Sequence, residues 1–218
     1  MRNYQIADHK ALQTSRTTKK LFYRYVSDFT EFDSELNADF SVQWQQATTN
    51  AENEPTDEAI MDQMQGMTAA VATQSLNCIE AAEDARYYLK KAYVGDERKE
   101  MLKEFGFGTL QKVRHNAPHL IVWTLVLHNR VEKYKAPLME KGMTQAHIDN
   151  IEAQAQKLIT AEFAQEVFKR ERLAITRKRI SVFNNMWSYI ETVIEAATIV
   201  YNGNEQMLGV FDIKGDTN

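Results

Sequence analysis

His115 and His119 lie four residues apart, a spacing that can place two imidazoles on one face of a helix where they could share a metal ion. Pro118 falls between them and works against that geometry, because a proline ring clashes with the preceding turn. His128 stands nine residues beyond His119 and points well away from it on a regular helix. A di-iron centre in a helical bundle needs Glu-x-x-His pairs on two helices. None of the five histidines has a glutamate three residues before it; Ile6, Lys112, Asn116, Leu125 and Thr144 occupy those positions. His115 and His119 are therefore the metal candidates that remain, with a surface or capping role at a helix break as the competing assignment.

Two other stretches carry residue types suited to chemistry. Gly106-Phe-Gly108 followed by Lys112 superficially resembles an anion-cradling loop, since amides at a helix start attract phosphates. The Gly-Lys-Ser/Thr ending of a P-loop is missing, so a hinge or tight corner fits the residues better. Cys78 sits among Val71, Ile79 and Ala82 on an apolar stripe, which suits a buried small hydrophobe more than a nucleophile. Met61, Met64 and Met67 extend the same stripe as core packing, or as a soft binding groove. No cofactor is expected.

Charge is divided along the chain. From Tyr25 to Ala85 there are 13 acids and no lysine or arginine, so all 26 bases lie elsewhere, while the net charge is only −4. Lys169, Arg170, Arg172, Arg177, Lys178 and Arg179 form a basic cluster with one acid, Glu171, inside it. Two uses follow: acidic helices facing basic ones within the fold, with Asp28, Glu31, Glu80, Glu83 and Asp84 at about the height of the cluster, or a cluster that meets a charged partner. Nucleic acid is not expected, because the chain is net acidic and the basic patch has little aromatic interleaving.

Positioning any of these residues falls to helices. Only 8 Gly and 3 Pro in 218 residues favour long uninterrupted helices. Phe22, Tyr25, Phe29, Phe32, Leu36, Phe40 and Trp44 recur at steps of three and four, the signature of one aromatic helix stripe. A second helix is predicted from about Thr56 to Tyr93, stopped by Gly95, with Asp96 as the next N-cap. The third segment is broken near residues 105–109 and 116–118, then resumes through Leu120, Trp123, Leu127, Val131, Tyr134 and Leu138. Thr144 can cap a fourth helix with no Gly or Pro between Gly142 and Gly203. Such a helix would run roughly 80 Å, so a bend or break in it is expected.

These patterns predict an all-α fold, an elongated up-down-up-down bundle of four long helices forming one domain over 1–203, with a short apolar tail over 204–218. The tail's Met207, Leu208, Val210, Phe211 and Ile213 suit docking on its own bundle or on a neighbour. No apolar run reaches the ~20 residues of a spanning helix, and the N-terminus lacks a signal-peptide core. With one cysteine and no possible intramolecular disulfide, a cytoplasmic location is expected. The expected function is a non-catalytic structural or protein-interaction bundle, with a protein partner or self-association. One alternative is a ligand- or metal-binding bundle in which Arg114, His115 and His119 converge at the broken third helix. Another is an amphitropic, membrane-interacting protein using Leu120–Leu127 and the tail.

Overall fold

The computed structural model describes residues 1–213, so 214–218 of the expected tail lie outside the described residues. The described chain is helical, with no strand. Its helices are α1 (Asp8–Arg24), α2 (Val26–Phe32), α3 (Ala38–Glu52), α4 (Asp57–Ala92), α5 (Gly95–Glu104), α6 (Leu110–Val113), α7 (Ala117–Lys133), α8 (Lys135–Glu140), α9 (Gln145–Val200) and α10 (Glu205–Val210). Among the described residues no helix is long and apolar enough to cross a membrane. The chain divides into two compact units, one of residues 1–57 and 172–218, the other of residues 58–171, with α9 contributing to both.

In the first unit the aromatic stripe is not one helix. The chain leaves α2 at Asp33, whose carboxylate accepts the Glu35 amide at 2.9 Å, and re-enters helix at Asn37, whose Oδ1 accepts the amides of Asp39 and Phe40. Short polar side chains here offer the backbone partners outside a helix, and Asn is a favoured N-cap. The spacing of the stripe survives because both arms face one core. Phe22, Phe29, Leu36 and Trp44 are buried, Tyr25 and Phe40 pack beside them, and Phe32 is 48% exposed. α1 and α3 form an antiparallel hairpin, with Ser15 beside Thr48, Lys19 bonded to Gln45, and the Phe22 and Phe40 rings 5.4 Å apart.

Inside this hairpin a buried polar chain is fully satisfied. Trp44 Nε1 donates to Ser15 Oγ at 2.9 Å, Ser15 Oγ lies 2.9 Å from Thr48 Oγ1, and Thr48 Oγ1 donates to the Trp44 carbonyl at 3.0 Å. Because the Thr48 proton is already used, the Ser15 hydroxyl must donate to Thr48. The described part of the tail docks on this same core. Phe211 is buried, stacking on Tyr201 at 5.7 Å and meeting Phe29 edge-on at 5.5 Å.

The second unit is built on Cys78, Ala82, Leu89, Phe105, Leu120, Leu127, Ile148 and Leu158. α4 and α9 run antiparallel in it: Thr68 accepts from Gln165 at 2.9 Å, and the Tyr88 and His147 rings are 5.3 Å apart. α7 also opposes α9, with Gln145 donating to Glu132 at 3.0 Å and His128 Nε2 lying 3.9 Å from Glu152. It follows that α7 runs parallel to α4. The third segment is broken where expected, yet it does not form one interrupted rod. Phe105 meets Tyr134 near the end of α7 at 5.6 Å, Phe107 meets Trp123 in its middle at 5.7 Å, and the chain then turns back at Arg114–Asn116. Two legs therefore stand where the simple alternation of four rods expects one.

Local chemistry explains the breaks. Asn116 Oδ1 caps α7 by accepting the His119 amide at 3.0 Å, and Pro118 sits in the first turn, where its missing N–H costs nothing. α7 stops at Lys133, four residues before Pro137, whose ring opposes that carbonyl. Asp96 does not cap α5; Gly95 opens the helix at φ +62°, behind Val94. Thr144 accepts the His147 amide at 3.4 Å while His147 Nδ1 accepts the Thr144 amide at 3.1 Å, a reciprocal cap on α9. α9 then runs unbroken to Val200; without Gly or Pro it has no local cause to stop.

Gly106 closes the corner between the two legs. It holds φ +83°, its carbonyl accepts from Trp123 Nε1 at 3.0 Å, and an added Cβ would sit 3.1 Å from both Trp123 Nε1 and an Arg130 guanidinium nitrogen. Gly106→Ala is expected to lower stability by about 1–2 kcal/mol through left-handed strain plus displacement of the indole. Gly203→Ala, at φ +84° with open space around it, isolates the strain and should cost less. Thermal unfolding followed by circular dichroism reads both, and equal losses would remove the indole from the account.

Candidate functional site

The turn between α6 and α7 forms one wall of a cavity of about 470 Å³ in the second unit. Arg114, His115 and Ala117 come from that turn; Thr68, Val71, Ala72, Ser75, Leu76 and Ile79 come from α4, and Gln165 from α9. The α4 residues recur every three or four positions, which puts them on one face of the helix. Arg114 is half-buried. Its NH1 donates to Gln111 at 3.2 Å, while its Nε is shielded from solvent and has no acceptor. A buried donor without a partner carries a penalty of about 1–3 kcal/mol. The hydroxyls of Thr68 and Ser75 donate to backbone carbonyls of α4. Among the described residues no acid lines the cavity.

Arg114 and His115 thus meet at one wall, and His119 is not part of it. His115 and His119 are both exposed. Among the described residues no group of three or more His, Cys, Asp or Glu side chains could hold a metal ion. Cys78 is buried, and burial pushes its thiol up to about 11 against the opposing effect of a hydrogen bond with Thr124. Almost no thiolate exists there at neutral pH, which removes the nucleophile. The Gly106–Gly108 corner directs the Gly106 carbonyl, not a ring of amides, at its neighbours: Thr109 and Trp123 both donate to it.

The basic cluster lies on α9 but does not act as one set. Lys169 pairs with Glu166 one turn away, and Arg170, Arg172 and Arg177 are exposed. Lys178 reaches Glu54 at 2.6 Å. Arg179 points inward, with a side chain only 3% exposed. Its NH2 lies 2.5 Å from Asp57 and 3.3 Å from Asp8, its NH1 donates to the Pro55 carbonyl at 3.3 Å, and its Nε has no partner. Burial pulls this guanidinium down, but the Asp57 hydrogen bond and the charges of Asp8 and Asp57 outweigh it, so its pKa rises. Acid-to-base pairing within the fold therefore exists, through Glu54 and Asp57. Two of the acids expected at the height of the cluster serve other partners: Asp28 accepts from the Tyr201 hydroxyl at 2.9 Å, and Glu83 pairs with Arg86.

A groove of about 850 Å³, which no spacing in the sequence marks, lies between α1 and α3, lined by Arg16, Lys19, Lys20, Tyr23 and Val42 among others. Burial lowers the Lys19 pKa there, against the opposing charge of Glu52. Arg16, Lys19 and Lys20 form its basic side, which matters only once α1 and α3 pair. Of the residues behind the amphitropic alternative, Leu120, Trp123, Thr124, Leu127 and Phe211 are buried, whereas Val122, Val126 and Val210 are exposed. No protein-family model, curated protein or solved structure matches the chain.

Proposed function

We propose that this chain is a non-catalytic structural or protein-interaction helical protein, and that it associates with a second copy of itself through α4. The observation that carries this reading is a surface without charge. From Gln63 to Ile79 α4 has no charged side chain, and from Met61 to Asn77 none of its residues is buried. A solvent-facing helix normally sets charged residues on its outer face. Gly66, Ala70 and Thr73 form an exposed strip on the side of α4 opposite the cavity-lining Thr68, Ala72 and Ser75. Gly66 stands inside the helix at a cost of about 1 kcal/mol relative to alanine, and a Cβ there would meet nothing within 4 Å. Close approach of a second helix supplies a use for that empty space, and a two-fold pair lets the same strip meet itself.

Native mass spectrometry and light scattering test this directly. The wild-type chain is expected to be a dimer in the micromolar range. Ala70→Glu alters an exposed position, should leave the helical signal intact, and should weaken dimerisation by about tenfold or more through like charges facing across the two-fold axis. A wild-type chain that stays monomeric up to its solubility limit would sink the self-association reading.

A further inference from the structure

We propose that the cavity between α4, the α6–α7 turn and α9 binds a small organic anion, a carboxylate carrying an apolar body. The volume, about 470 Å³, falls within the roughly 300–1,000 Å³ of small-molecule pockets, which are mostly apolar with a few convergent polar groups. Val71, Leu76, Ile79 and Ala117 supply the apolar surface. The polar groups converge at the α6–α7 turn, where Arg114 and His115 stand together.

The sign of the ligand follows from the wall. A guanidinium is always charged and forks naturally onto a carboxylate. Among the described residues Arg114 donates to the Gln111 side chain, and its Nε, shielded from solvent, has no acceptor. Among the described residues no carboxylate lines the cavity, and the α4 stretch that forms its far wall is uncharged from Gln63 to Ile79. An anion seated there meets one cation and no competing acid. In a partly desolvated site that interaction is stronger than at an open surface. Leu76, which lines the cavity, is 56% exposed, an apolar contact that a bound chain would cover. The proposal is independent of dimerisation, since the strip through Gly66, Ala70 and Thr73 lies on the opposite side of α4.

The test uses the full chain and three probes: octanoate, 1-octanol as the neutral molecule of the same length, and acetate as the headgroup without a body. Calorimetry and amide chemical shifts are followed together. Octanoate is expected to saturate one site, with shifts confined to Thr68–Ile79, Arg114–Ala117 and Gln165. Octanol and acetate should each bind at least tenfold more weakly. Arg114→Met should lower octanoate affinity at least tenfold and leave octanol unchanged. Ala72→Trp, at an exposed lining position, should block octanoate by filling the cavity. If Arg114→Met loses its helical signal, the octanol comparison and Ala72→Trp still decide. Equal binding of octanol and octanoate, shifts outside these residues, or no saturable octanoate binding would each overturn the proposal.

Discussion

Trp44→Ala is expected to cost the first unit about 3–5 kcal/mol, the range for removing a large aromatic from a core. Trp44 is fully buried, with Phe22 and Phe40 rings each 6.2 Å away and Tyr189 stacked on it at 6.2 Å. The loss should reach the upper part of that range because the indole is also a donor. Without Nε1 the Ser15 hydroxyl keeps its bond to Thr48 but loses the proton it accepts, in a place water does not reach. Trp44→Phe separates the two effects: it keeps most of the ring volume, removes the donor and should cost about 1–2 kcal/mol. Urea denaturation, together with hydrogen exchange of the α1 and α3 amides, reads both variants. A loss under about 1 kcal/mol for the alanine variant would mean that α1 and α3 do not close over this ring.

Arg179→Met should destabilise the same unit by about 2–4 kcal/mol, since breaking a buried ion pair strands the partner charges. Methionine preserves much of the apolar stem, so the loss reports the guanidinium. It sits below the extreme for a fully buried pair because the Asp57 side chain is 58% exposed and stays hydrated when its partner leaves. Asp8 retains Tyr4, whose hydroxyl donates to it at 2.7 Å, and Arg2 at 3.4 Å. Arg179→Lys should not rescue, because an ammonium cannot span Asp57, Asp8 and the Pro55 carbonyl as a planar fork does. Arg177→Met, two residues away and exposed, should change stability by less than about 0.5 kcal/mol. In a double-mutant cycle, Asp57→Asn should lose less in the Arg179→Met background than in the wild type. Equal costs at Arg177 and Arg179 would show that the inward guanidinium carries no more than a surface charge.

Period and punctuation were legible in the chain. Apolar residues at steps of three and four announced helices, and Gly or Pro marked the stops at 105–109, 116–118 and 142. The absence of both from 143 to 202 left α9 continuous, although its length alone had suggested a bend or break. The apolar character of the tail was equally plain. Each of these depends on neighbours within a turn or two, where propensity and capping act.

Tertiary structure decided the rest. The stripe from Phe22 to Trp44 reads the same whether the chain runs straight or folds at Asp33–Asn37, because either arrangement aims those rings at one core. Arg177, Lys178 and Arg179 are equivalent by type. Only the positions of Asp8, Pro55 and Asp57, more than 120 residues away in sequence, select Arg179 as the one that turns inward. Nor does the pattern in residues 95–140 say whether its pieces line up or double back. That depends on Phe105 finding Tyr134 and Phe107 finding Trp123. Periodicity records which face of a helix is apolar, whereas the partner that covers it comes from contacts distant in sequence, which no local pattern encodes.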